Sequence, residues 1–346
     1  MDRRHVIKSG LALALAGMSR SATADEPIFI GDMHAHFFLR DGRHKTTPIG
    51  ESMAKAKATL VSWSISGDAL WIGEEKGRGF VQKSIPKAGE TFGYFQLELQ
   101  RIKTLVAEQK LRIVRNGRDV ERALKGEPHV VLSVEGANFI EGDVARVKLA
   151  HDLGVRHIQL VHYTRNTLGD YQTVAPEHGG LTALGKKVVQ ECNRLGILVD
   201  LAHATSTAVS QALALSRVPV VWSHSSVTTG EPHWNMIGWK ARQLKLPDAK
   251  AIASKGGVVG LWALRQDIGA DLRRYGDRMK ALADTLGDGH VAFGSDLNGL
   301  GRSALVNEFS DLRTVVDAWR ADGMNAKRMH NLAIGNYARV LRDTIG

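Results

Sequence analysis

The chain has 346 residues, 43% of them hydrophobic and 24% charged, with 36 glycines and 8 prolines. That mix excludes a disordered or collagen-like chain, and the one cysteine, Cys192, excludes an internal disulfide and a Cys-rich zinc site. The formal charge of +10 raises nucleic acid as a partner, but the lysines and arginines are scattered and form no basic stripe.

Residues 1–24 read as an address and not as part of the fold. Residues 2–8 are charged, residues 9–17 form a short apolar run, and Ala22-Thr23-Ala24 offers the small residues a signal peptidase reads. Cleavage is expected before Asp25, and the apolar run is too short to span a bilayer. Arg3-Arg4 with Lys8 beyond resembles the twin-arginine export signal, so a periplasmic or secreted protein is expected. Losing this segment removes four basic side chains and one acidic, and the charge falls from +10 to +7 on the remaining 322 residues. Residues 25–346 show no repeat, low-complexity tract or composition break, which predicts a single domain.

Beyond residue 25 the chain alternates. Short apolar runs predict buried strands at 28–30, 59–65, 111–114, 130–134, 157–161, 198–201, 218–222, 258–262 and 291–293. Helical spacing predicts helices at 92–109, 120–124, 144–153, 183–195, 207–215, 248–254 and 272–286, with a helical tail at 311–321 and 327–342. Gly154, Gly196, Gly256 and Gly323 stand where left-handed helix C-caps are expected. Alternating strands and helices imply parallel pairing, and continuous apolar strands imply a sheet covered on both faces. About eight such units predict a (β/α)8 TIM-type barrel. An open doubly wound sheet is the alternative, but no GxGxxG or GxxxxGK[ST] follows any strand.

The polar residues that end these strands are the informative feature. His34 and His36 are expected just past the first strand. Glu135, His162, His203, His224 and Asp296 each end or follow another. In a barrel such ends converge on one mouth, where active sites lie. Several ionisable groups buried face to face without a partner would cost several kcal/mol. Imidazole and carboxylate suit zinc, and five histidines with two carboxylates can fill two neighbouring metal positions. Two ions roughly 3.5–4 Å apart can activate a bridging water and polarise a carbonyl, which is hydrolase chemistry without a side-chain nucleophile. Ser223 and Ser225 flank His224, but no GxSxG elbow is present.

The order His-x-His, Glu, His, His, His, Asp resembles the amidohydrolase superfamily, and its details resemble the membrane (renal) dipeptidase family. The likeness runs from about residue 27 to 343. It rests on Val134-Glu135-Gly136, on the run from Leu160 through His162 to Asp170, on Asp200-Leu201-Ala202-His203, on Trp222-Ser223-His224-Ser225 and on Phe293-Gly294-Ser295-Asp296, with the tail 334–341. The resemblance implies a binuclear zinc dipeptidase acting on a small dipeptide. His34, His36 and Glu135 would bind one zinc, and Glu135 would bridge to a second held by His203 and His224. A bridging hydroxide would attack the peptide carbonyl. His162 would hydrogen-bond the oxyanion, Asp296 would orient the nucleophile and pass its proton to the amine, and Arg242 would take the substrate carboxylate. The resemblance leaves a homodimer open. It implies no nucleic acid and no membrane span once the signal is removed.

The departures bear on substrate. The family usually has His-x-Asp at the first strand, where this chain has His34-x-His36; Asn298 stands for a second acid and Trp262 for a tyrosine. A neutral imidazole in place of a carboxylate leaves the metal pair one charge more positive and eases hydroxide formation. Two alternatives stay open: a hydrolase of N-acyl amino acids, other amides or lactones, and a non-catalytic exported metal or ligand binder. Asp32 is read as a strand-end partner pointing away from the metals, and Asp200 as an orienting or structural acid. His178 and His233 are read in loops that could rim the pocket. His129, His151, His157, His290 and His330 are assigned to surface or strand-start positions, Cys192 to the core, and Trp234 and Trp239 to a loop that could cover the site.

Overall fold

The computed structural model describes residues 27–36 and 49–346, apart from Ile237. The expected export signal at 1–24 lies outside the described residues. The chain begins with β1 (Ile30–Ala35), α1 (Ile49–Ala56) and β2 (Ala58–Ser66), followed by a hairpin of β3 (Ile72–Glu75) and β4 (Gly79–Gln82). Next come α2 (Glu90–Glu108), β5 (Arg112–Ile113), α3 (Gly117–Leu124), β6 (His129–Glu135), α4 (Ala145–Asp152), β7 (Val155–Gln159), α5 (Ala183–Leu195) and β8 (Leu198–Asp200). Then follow α6 (Ser206–Leu215), β9 (Val221–Trp222), β10 (Val227–Thr228), β11 (Leu244–Lys245), α7 (Leu246–Ser254), β12 (Val258–Leu261), α8 (Arg265–Ile268), α9 (Leu272–Leu286) and β13 (Val291–Phe293). The chain ends in α10 (Phe309–Ala321), α11 (Ala326–His330), a π-turn and α12 (Asn336–Ile345).

Eight parallel strands run in the order β1-β2-β6-β7-β8-β9-β12-β13. The two edges meet where the Asp296 amide donates to the His34 carbonyl at 3.0 Å and the His36 amide to the Leu297 carbonyl at 2.8 Å. This is the expected TIM-type (β/α)8 barrel. All nine residues of β2 are buried, the hydroxyl residues Thr59, Ser62, Ser64 and Ser66 among them, so this strand is covered on both faces. Met33, Leu60, Val131, Leu198, Val221, Val258 and Ala292 pack into one cluster with Ile334, Tyr337 and Leu341 of the C-terminal segment. That segment lies against the strand starts, where the Gly117 amide donates to the Gly346 carbonyl, and it leaves the strand ends free for the site. Gly294 is required by a close approach: a Cβ there would sit 1.7 Å from the Ser223 carbonyl oxygen, beside His224.

Several expectations need correction. β1 extends to Ala35, so His34 lies within the strand and only His36 follows it. The predicted strand at 111–114 is the two-residue β5, which pairs with β6 off the barrel path. The predicted helix at 327–342 is interrupted by a π-turn at Asn331–Gly335. The four predicted C-cap glycines do take left-handed φ, from 72° to 103°. Among the described residues no helix is long and apolar enough to cross a membrane.

Glu141 holds the start of α2. Its carboxylate accepts from the Gly89, Thr91 and Phe92 amides, from the Thr91 hydroxyl and from Arg146. Burial works against ionisation, but the hydrogen bonds from Thr91 and Arg146 and from the amides outweigh it and hold the carboxyl at about 2. A depressed folded pKa contributes stability that is present above the ordinary value of 4.5 and lost as pH falls toward 2. Glu141→Gln is therefore expected to lower the urea midpoint at pH 7, with the gap to wild type closing toward pH 2. A constant gap across that window would refute this role.

Candidate metal centre and active site

Every residue assigned to the site by sequence meets the others at the strand ends. His34 comes from β1, His36 from just past it, and Glu135 ends β6. His162, His203, His224 and Asp296 follow β7, β8, β9 and β13, and Arg242 closes a short 3-10 turn at Gly238–Arg242. All eight are buried. Glu135 Oε1 lies 3.2 Å from His203 Nε2, 3.3 Å from His162 Nε2 and 3.4 Å from the Nε2 atoms of His34 and His224. Its other oxygen is 3.3 Å from His36 Nε2, which is 3.6 Å from Asp296 Oδ1. His203 and Asp296 hold left-handed backbone, φ 69° and 55°, a strained state that is concentrated at functional sites.

The donor set fits a divalent metal. His36 donates Nδ1–H to the Ser64 carbonyl at 3.0 Å, so in its neutral form it presents an Nε2 lone pair to the cluster. That Nε2 lies 3.0 Å from His34 Nε2, and the Nε2 atoms of His203 and His224 lie 3.2 Å apart. Nitrogens meeting around one carboxylate oxygen are the arrangement a cation between them satisfies. Among the described residues, three groups bring ligand atoms close enough for an ion: His34, Glu135 and His224; His34, His36 and Asp296; Glu135, His162 and His203. Cys192 is buried in α5, as expected, and takes no part.

Electrostatics sort these groups. Burial pulls His34, His203 and His224 below the ordinary imidazole value, and like charge from Arg242 and His162 adds to this at His203, so their lone pairs are free at neutral pH. Burial acts the other way on Glu135, but the imidazoles of His162 and His34 overcome it and hold the carboxylate well below its usual range. Burial pushes Asp296 up to about 7, against the opposing pull of His36.

A model of the family described as membrane dipeptidase (peptidase family M19) matches residues 80–345. The chain belongs to the membrane dipeptidase family. Dipeptidase tcpJ of Claviceps purpurea is 26% identical over 302 residues, covering 84% of this chain and 68% of that protein. Dipeptidase 3 of Mus musculus is 26% identical over 61% of this chain and 44% of its own length. A metallo peptidase from Rhodobacter sphaeroides, solved with a phosphinate mimic of L-Ala-D-Ala, superposes with a TM-score of 0.76 at 21% identity, over 92% of this chain and all of that one. A dipeptidase of the same peptidase family gives 0.75 at 21% identity. These structures share the barrel.

Within this membrane dipeptidase-family site the strand-end reading omits two residues. Asp68 follows β2 and is fully buried. Its Oδ1 accepts His162 Nδ1–H at 2.5 Å, and its Oδ2 accepts the Tyr163 amide and the Thr164 hydroxyl, each at 3.0 Å. The same inspection of the second strand's end would have found it. Tyr163, directly after His162, hydrogen-bonds Arg242, whose guanidinium carbon lies 5.9 Å from its ring centroid and 5.7 Å from that of Trp262. Arg242 also reaches His224 Nε2 at 3.1 Å and Gln172 Oε1 at 2.7 Å.

Asp200 and Asp32 take the orienting and strand-end roles expected of them. His157 lies in β7 near its start, the second of the two placements expected for it, and is buried with Nε2 3.3 Å from Asp200. Asp200 binds the Ala202 and Ser223 amides and so ties the strands that carry His203 and His224. Asp32 joins β1 to Ser295 through that residue's amide and hydroxyl. His178 and His233 are exposed. Asn298, left-handed at φ 68°, donates to the His36 carbonyl and so has a structural task of its own.

Asp68→Asn places an N–H group against a donor in either orientation of the amide. It should cost about 10–100-fold in kcat/KM, the scale seen for partners that orient an active-site histidine, and should shift the pH profile while metal content stays unchanged. An unaltered profile with full activity would remove Asp68 from the site.

Proposed function

We propose that this chain is an exported, zinc-dependent dipeptidase that cuts the amide bond ahead of a free carboxylate. The observation that carries this reading is the buried Arg242 guanidinium beside a converged set of five imidazoles and two carboxylates. His34, His36 and Glu135 would hold one ion, and Glu135, His203 and His224 the other. Zinc at such a site supplies a Lewis acid for the carbonyl and lowers the pKa of bound water. The residues 1–24 support export.

The chain's own groups supply the rest. Arg242 offers a two-pronged clamp for the substrate's terminal carboxylate. His162 keeps Nδ1–H on Asp68 and turns Nε2 toward Glu135, where an N–H in its protonated form would donate to the carbonyl oxygen as charge builds there. Asp296, buried with its Oδ1 3.6 Å from His36, takes a proton from the attacking water and returns it to the departing amine nitrogen.

The test is to load the purified protein with Zn²⁺, count the ions, and screen L-L, L-D and D-D dipeptides against N-acyl amino acids and lactones. Two ions bound and a dipeptide cleaved is the expected result. Ions bound with no turnover would sink the enzyme reading, and turnover of lactones alone would sink the peptidase reading.

A further inference from the structure

The space at the ligand cluster is strongly asymmetric. A chamber of about 70 Å³ touches Glu135, His203, His224, Asp296 and Arg242. It opens past Phe80, Tyr163, Trp262 and Leu300 into a vestibule of about 1160 Å³ lined by the same four residues. Arg242 borders the chamber and not the vestibule. A carboxylate held by Arg242 therefore sits at the closed end. The scissile bond lies next to it at Glu135 and Asp296, and the acyl side points outward.

The vestibule carries an apolar stripe within a mixed lining that also includes Glu74, Arg78, Gln266 and Arg302. Trp239 and Leu264 extend the aromatic and aliphatic surface begun by Phe80 and Trp262. The β3–β4 hairpin reaches the turn that carries Trp239, so closely that a Cβ on Gly79 would sit 3.4 Å from the Gly238 Cα. Arg78, one of the charged residues on this wall, is paired with Glu75. Within the chamber the carboxylates among the described lining residues are Glu135 and Asp296, and both face imidazoles. A bulky apolar group that covers the stripe of Phe80, Trp239, Trp262 and Leu264 removes the most apolar surface from water in this space.

We propose that the substrate is an amide of a small amino acid whose acyl side is bulky and apolar and lies in the vestibule. This rests on the hydrolase reading above. Water adds its oxygen to the acyl carbon, the C–N bond breaks, and the small amino acid leaves with the proton on its nitrogen. The bulky group can be a large N-terminal side chain or a fatty or aromatic N-acyl chain.

The test uses the full zinc-loaded protein and three series: X-Ala dipeptides with X from Ala to Phe and Trp, the reversed Ala-X set, and N-acyl-alanines from acetyl to dodecanoyl. Expected is a rise of at least tenfold in kcat/KM from Ala-Ala to Phe-Ala or from acetyl to dodecanoyl, and a fall of at least tenfold from Ala-Ala to Ala-Phe. The series that rises identifies the source of the bulky group. Trp239→Ala should shrink the advantage of the bulky substrate at least fivefold, read as a change in KM against the small one. A flat or reversed size dependence, with dipeptides still cleaved, overturns this inference alone. Turnover of no series overturns the hydrolase reading and this inference with it.

Discussion

Asp296→Asn is expected to lower kcat by about 10²–10⁴-fold, the range carried by a positioned acid–base group, while the protein still binds its metal. The carboxylate is buried at the mouth of the barrel and stands 3.6 Å from His36, within reach of the water and the amine between which a proton must pass. An asparagine has nearly the same shape and keeps a carbonyl oxygen for the polar contact. It cannot accept a proton from water or return one to an amine. The variant thus separates proton transfer from ligand geometry. Metal content by elemental analysis should match wild type, and KM should change little beside kcat. Full turnover by the variant would remove Asp296 from the proton path, and loss of metal along with activity would reassign it as a ligand.

The barrel was legible because its physics is periodic. Strands covered on both faces read as mainly apolar runs, as at 130–134 with Ser133 the one polar residue, and the helices between them read at helical spacing. The site was legible for a related reason. A buried strand that ends in His or Glu breaks its own apolar pattern, and six such breaks in parallel strands can converge only at one mouth. What escaped the reading depends on contacts distant in sequence. The β3–β4 hairpin is half-buried and holds three glycines and four charged residues in eleven positions, so it carries no apolar alternation, yet it forms one side of the vestibule. His157 looks like any polar residue near a strand start until Asp200 is placed opposite it. Asp68 bonds His162 across 94 positions, a pairing set by barrel closure and not by local spacing. Residues 327–342 read as one helix because a π-turn leaves the apolar spacing nearly intact. Arg242 had no strand pattern to announce it and was placed only by resemblance, yet its guanidinium lies 3.1 Å from His224.

On the proposed two-zinc reading, Glu135→Gln is expected to abolish the paired metal site. Four imidazole Nε2 atoms stand within 3.4 Å of one oxygen of this carboxylate, and the fifth is 3.3 Å from the other oxygen. The amide keeps the volume but removes the negative charge that the imidazoles and any cations share. Its NH₂ also offers two donors toward one side of the cluster, where cations would have to sit. Zinc content should fall from two ions per chain to one or none. Activity should drop by about 10³-fold or more, because water whose acidity is not raised by a metal supplies little hydroxide at neutral pH. Zinc bound only by the native state raises the unfolding temperature in proportion to its affinity. Added Zn²⁺ should therefore raise the Tm of wild type strongly and that of Glu135→Gln weakly. The apo form of the variant should melt below apo wild type at neutral pH, since the depressed carboxyl pKa of Glu135 means that the surrounding imidazoles stabilise the buried anion. A variant that kept two ions and its zinc-dependent rise in Tm would show that Glu135 is not the shared ligand, and the ligand set would then have to be rebuilt around Asp296 and His162.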